Sequence, residues 1–188
     1  DPRDDSISYI GDDYGDDFSK WYSAVLGADG NIYGIPLDHN MILKIDVANQ
    51  STSLVGPDLG EGECKYGGGV LGYDNCIYML PFHAEFVLKF NPITGGTSNV
   101  GESLGHEEFK YEQGMLASNG YIYAPPRNAN QVLKIQSWDN WLYLKHRLLV
   151  EKRRATGKII QLDDDLNIVQ HFIIHTNDDI FRTVLEMI

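Results

Sequence analysis

The stretch LGADGNIYGIP (residues 26–36) is written again as LGYDNCIYMLP (71–81) and a third time as LASNGYIYAPP (116–126), each copy 45 positions after the last. When residues 1–45, 46–90 and 91–135 are overlaid, ten columns hold one residue type in all three copies. They are Ser8, Gly11, Gly15, Lys20, Leu26, Ile32, Tyr33, Pro36, Leu43 and Lys44, with their partners 45 and 90 positions on. A period of roughly 40–50 residues is that of propellers and of helical arrays. Strands fit better than helices, because the apolar residues fall in short runs (YSAVL, NIYGI, MILKI) broken by turn residues. Between the first two runs stand Asp29-Gly30, Asp74-Asn75 and Asn119-Gly120, pairs suited to two-residue turns with positive φ. The quoted phrase therefore predicts a hairpin.

Each unit reads as four strands: A at 22–26, B at 31–35, C at 41–46 and D at 51–55 in the first copy. Four short antiparallel strands per unit make a propeller blade. The centre of strand A is Ser23-Ala24, Gly68-Gly69 and Gln113-Gly114, mostly small residues that suit an innermost strand crowded around an axis. The fold expected is mainly β, a partial β-propeller of about three four-stranded 45-residue blades over residues 1–136. A small α+β tail, helix-hairpin-helix, follows over residues 137–188. Residues 6–10 align with the D strands, and the third unit has no D strand of its own. Ser6–Ile10 is thus expected on strand C of the third blade, in its own chain or in a neighbouring copy, so a homodimer or part of a longer propeller is expected; the alternative is that KIIQL or NIVQHFIIH of the tail supplies that strand.

With GGVLGYDNCIYMLP and VLKF, the repeats resemble the kelch-like or quinoprotein-like propeller repeats of microalgal proteins. That resemblance implies a fold and little chemistry, since propellers host both enzymes and binding platforms. The cadence DGNIYGIP…ILKID also looks like streptogramin-lyase repeats, in which a metal and a histidine on one face do the chemistry. Carried over, it makes His83 a general base or acid, with Glu85 and Asp38 near a cation.

The 188 residues carry a formal charge of −12. Residues 1–137 hold 8 basic and 19 acidic side chains, and residues 138–188 hold 7 and 8. The repeats therefore carry the negative field, which repels phosphate backbones and anionic headgroups, so no nucleic acid and no membrane are expected as partners. A mean hydropathy of −0.28 is that of a soluble protein. Cys64 and Cys76 flank the second hairpin too far apart for a disulfide, and free thiols are expected. Gly67, Gly69 and Gly72 match a dinucleotide fingerprint in spacing but lie within a strand, outside the strand-to-helix setting that such a motif needs.

In a propeller the D-to-A and B-to-C loops share one face. Here the D-to-A loops are GDDYGDDFSK, GPDLGEGECK and GESLGHEEFK, and the B-to-C loops hold Asp38, Asn40, His83, Glu85, Asn128 and Asn130. Those six are the candidate ligand-binding residues. The carboxylates Asp12, Asp13, Asp16 and Asp17 are candidate ligands for Ca²⁺ or Mg²⁺, which take oxygen donors. The function expected is a non-enzymatic binding or scaffolding module presenting this acidic rim to a protein or small polar ligand. The alternative is a propeller hydrolase or lyase with a divalent cation on the same face.

Overall fold

The computed structural model describes residues 7–138. Eleven strands and no helix are found among them, and the tail expected over residues 137–188, with its basic cluster, lies almost wholly outside. The first sheet is β1 (Trp21–Leu26), β2 (Ile32–Pro36), β3 (Ile42–Asp46) and β4 (Ser51–Val55), each antiparallel to the next. The second repeats it as β5 (Tyr66–Leu71), β6 (Ile77–Pro81), β7 (Val87–Phe90) and β8 (Thr97–Val100). The third has three strands: β9 (Met115–Leu116), β10 (Tyr121–Ala124) and β11 (Leu133–Gln136). All three sheets belong to one compact unit.

Two expectations are corrected by this arrangement. Residues 7–10 form no strand, and among the described residues the third sheet has three strands. The hairpin turns are also one residue longer than the turn pairs suggest. Gly27 N donates to Asn31 O (2.8 Å) and Gly30 N to Gly27 O (3.1 Å), which encloses residues 28–30. Positive φ occurs only at the last loop residue, at Gly30, Asn75 and Gly120, giving a three-residue loop with a bulge in place of a two-residue primed turn. The preceding acidic or amide residue closes the loop from its side chain. Asp29 Oδ2 accepts the Tyr33 hydroxyl (2.8 Å), Asp74 Oδ2 accepts that of Tyr78 (2.9 Å), and the Asn119 amide donates to Tyr123 Oη (3.0 Å). The invariant tyrosine of the quoted phrase is therefore a hairpin clamp.

The blades pack face to face through two apolar seams built from equivalent positions. In the first seam Val25, Tyr33, Ile35 and Ile42 of blade 1 meet Tyr66, Ile77, Met79 and Phe90 of blade 2. In the second, the positions 45 further on repeat the match: Val70, Tyr78, Leu80 and Val87 against Tyr111, Ile122, Ala124 and Ile135. Each blade thus has a trailing face and a leading face. The small residues of strand A are needed where the inner strands converge. A Cβ on Gly67 would lie 2.9 Å from Glu112 Cα, one on Gly68 would overlap Glu112 O, and one on Gly69 would lie 2.6 Å from Ile35 Cδ1.

The invariant lysine joins consecutive blades at the loop face. Lys65 N donates to Leu37 O and Lys110 N to Phe82 O, both at 2.9 Å. The ammonium groups continue the pattern, Lys65 Nζ donating to Asp38 O (3.0 Å) and Gly62 O, and Lys110 Nζ to His83 O (3.3 Å) and Glu107 O (2.6 Å). Both side chains are buried, which lowers their pKa by desolvation, with nearby carboxylates opposing the shift.

Candidate functional site

The loop face holds most of the expected polar residues, but the seams use many of them. Asp38 Oδ1 accepts Cys64 N (2.6 Å), and Asn40 O accepts Leu59 N (2.8 Å). Glu85 accepts the Ser103 hydroxyl (3.1 Å) and lies 3.4 Å from His106 Nδ1. Asn128 Nδ2 donates to Glu108 O (3.1 Å), and Asn130 is exposed. Cys64 and Cys76 are free thiols, both pushed up by burial.

The four aspartates of the first D-to-A loop are exposed, and the loop's bonds use the carboxylate of Asp13 and the backbone of Asp12 and Asp17. Asp13 Oδ1 accepts Gly15 N (2.8 Å), Asp12 N donates to Thr52 Oγ1 (3.2 Å), and Asp17 O accepts Lys20 Nζ. Among the described residues no group of three His, Cys, Asp or Glu side chains is placed to hold a metal ion.

A different cluster assembles where strand A begins. The register between strands A and B slips after Trp21 and again after Tyr66, so Tyr22 and Gly67 are bulge residues, and Glu112 occupies the same repeat position in blade 3. A bulge re-aims its side chain. Tyr22 of blade 1 donates its hydroxyl to Glu112 of blade 3, across the side-chain-free Gly67 of blade 2. That bond, then burial, raises the Tyr22 pKa. Arg127 Nη1 lies 3.2 Å from the other Glu112 oxygen, and its guanidinium sits 5.1 Å from the ring centroids of both Phe82 and Phe109. Tyr22 packs on Phe82 at 6.0 Å.

His83 lies under this surface. Its ring meets Phe109 edge-on at 4.5 Å and stacks toward Phe82 at 6.0 Å, and its Nε2 is buried with no hydrogen-bond partner. Most buried polar atoms are paired, so this orphaned ring nitrogen stands out on the loop face. Of the six expected ligand-binding residues, only His83 belongs to this cluster. Tyr22, Phe82, Phe109, Glu112 and Arg127 were not legible as a site, because each occupies a column that varies among the three copies. That variation, Tyr-Gly-Glu at 22, 67 and 112 and Leu-Phe-Arg at 37, 82 and 127, is itself the signal that could have found them.

The chain is a β-propeller segment of three consecutive blades. Among solved structures it is similar to virginiamycin B lyase from Staphylococcus aureus, with a TM-score of 0.54, 13% identity, and coverage of 63% of this chain and 39% of that one. It is also similar to a streptogramin B lyase, with a TM-score of 0.53, 17% identity, and coverage of 63% and 38%. No protein-family model and no curated protein matches the sequence. The chain covers about two-fifths of the length of either lyase, and identities this low carry the fold and nothing finer.

Proposed function

We propose that the protein is a non-enzymatic binding module that takes a small polar ligand at the axial end of its loop face. The observation that carries this reading is the unpartnered, buried His83 Nε2 beneath the Tyr22–Glu112–Arg127 chain. An aromatic floor of Phe82 and Phe109, a carboxylate that accepts, a guanidinium that donates and a free ring nitrogen together suit a ligand bearing both donors and acceptors. Binding sites of this make-up are apolar surfaces with a few convergent polar groups. A thermal-shift panel of disaccharides and dipeptides, followed by calorimetry on any that stabilise the protein, tests it. Binding by at least one probe, weakened tenfold or more in both Arg127→Met and His83→Phe, is the expected result. No stabilisation by any probe, or binding indifferent to both substitutions, counts against it.

A lyase reading has one observation in its favour, a histidine on the loop face of a fold similar to two streptogramin-type lyases. It needs a divalent cation near His83, with Asp38 and Glu85, whose carboxylates are bonded to Cys64 N and to the Ser103 hydroxyl. Conversion of virginiamycin B in the presence of Mg²⁺, lost in His83→Ala, would establish it.

A further inference from the structure

The hairpin clamps of the three blades share a place but not a chemistry. In blades 1 and 2 the holding group is a carboxylate, Asp29 for the Tyr33 hydroxyl and Asp74 for that of Tyr78. In blade 2 the same Asp74 oxygen also pairs with Lys89 Nζ at 2.5 Å. The positions 45 further on are Asn119, Tyr123 and Lys134, so blade 3 keeps the phenol and the ammonium and sets a neutral amide between them. The amide serves the phenol only by reversing the bond, with Asn119 Nδ2 donating to Tyr123 Oη (3.0 Å). Lys134 Nζ lies over the Tyr121 ring, 3.8 Å from its centroid. Surroundings that suit a carboxylate in blade 2 therefore hold an amide in blade 3.

The next residue lets the chain change that amide without an enzyme. Asn119-Gly120 is the one Asn-Gly pair in the sequence, and Asn119 is exposed to water. Glycine has no Cβ to shield its own nitrogen, which can attack the side-chain carbonyl before it. A bond forms between Gly120 N and Asn119 Cγ, the Cγ–Nδ2 bond breaks, and ammonia leaves with the proton from Gly120 N. Water then opens the cyclic imide. Cleavage at Cγ leaves an aspartate, and cleavage at the main-chain carbonyl of residue 119 leaves a β-linked isoaspartate. In the closed hairpin Gly120 N donates to Ala117 O (2.8 Å) and Asn119 Oδ1 accepts Tyr121 N (3.2 Å), so the reaction waits on local opening of the loop. The two products do not close it equally well. An aspartate keeps the loop backbone that Asp29 and Asp74 already occupy, with its Gly27–Gly30 or Gly72–Asn75 bond, whereas an isoaspartate lengthens that backbone by a methylene.

We propose that Asn119 is a site of spontaneous deamidation, and that the aspartate formed there completes the third clamp, accepting the Tyr123 hydroxyl and pairing with Lys134 as Asp74 does with Tyr78 and Lys89. A charge-assisted bond then replaces a neutral one, and such bonds are the stronger kind. The change adds one negative charge to the hairpin and involves none of the residues of the axial cluster.

Incubation of the whole chain at mildly alkaline pH in heavy-oxygen water, followed by peptide mapping with mass spectrometry, tests the proposal. Residue 119 should take up heavy oxygen about tenfold more slowly in the folded chain than in urea, since the loop must first open. The folded chain should also give a larger share of aspartate over isoaspartate than the unfolded one. Asn119→Asp, made directly, should raise the urea midpoint, and the gain should shrink in a Lys134→Met background, the coupling expected of two groups in contact. A native chain still wholly amidated after roughly a hundred half-lives of the unfolded chain overturns the proposal. So does an Asn119→Asp midpoint below that of the native chain, or a gain that Lys134→Met leaves untouched.

Discussion

Lys110 is among the largest fully buried side chains and carries a charge. It is held there because its ammonium ties two loops of different origin, through His83 O and Glu107 O, while its stem crosses the seam. Burying an ammonium is costly unless it is paired, and here the partners are carbonyls, with Glu107 and Glu85 opposing the desolvation. Lys110→Met keeps the stem and removes the donors, leaving two part-buried carbonyls short of a partner. The expected loss is about 1–3 kcal/mol, read as a lower urea midpoint. A midpoint that does not move would mean that the stem, not the ammonium, holds the loops. The neighbouring column adds a second constraint: Ser19, Cys64 and Phe109 all have φ near +55°, so the residue before each lysine turns the chain in the left-handed region.

At the level of the element, the hairpin and the inner strand are specified differently. The hairpin loop ends in a left-handed residue with open space around Gly30 and with Asn75 at the same place in blade 2. Gly30→Asn should therefore change stability by only a few tenths of a kcal/mol, whereas Gly30→Ala costs about 1 kcal/mol, since Asn tolerates that region better than Ala. On β5 the constraint is contact and not φ, because Gly68 faces the backbone of Glu112 in the next blade. Gly68→Ala should destabilise by about 1–3 kcal/mol through overpacking, measured by thermal or urea unfolding. A neutral result would mean that the inner strands are free to spread. The equivalent bulge in β1 re-aims Tyr22, whose hydroxyl donates to Glu112 of blade 3.

Across the whole molecule, the seams place phenols in apolar surroundings. Burial raises the pKa of Tyr33, Tyr78 and Tyr111, and that of Tyr66 to about 12. Above about pH 10 the unfolded chain loses these protons while the folded chain keeps them. Their contribution is therefore whole below pH 10 and is lost as pH rises toward the folded values. Lys65 and Lys110 act in the opposite direction, because their folded values are lowered and the unfolded chain holds those protons longer. With four tyrosines against two lysines, stability should fall by on the order of 1 kcal/mol per pH unit between pH 10 and 11. Urea midpoints across pH 8–11 measure this, and Tyr78→Phe should flatten the decline; a rising midpoint would show the lysines to dominate.

The sequence by itself determined the blade. The 45-residue period, the short apolar runs and the turn residues repeat, and a feature needed by every blade is written in every copy. Thus the hairpins, the small residues of strand A and the free cysteines were legible, while the third loop residue was not, since Asp-Gly suits both turn types. The acidic rim was legible as composition, but not its use: Asp38 and Glu85 satisfy backbone and neighbouring loops, a matter of which blade lies alongside. Only the tertiary structure decided the axial cluster, because Tyr22 and Glu112 are 90 positions apart and meet across Gly67. Repetition fixes what each unit must do for itself, whereas a site at the axis is assembled from what the units do not share.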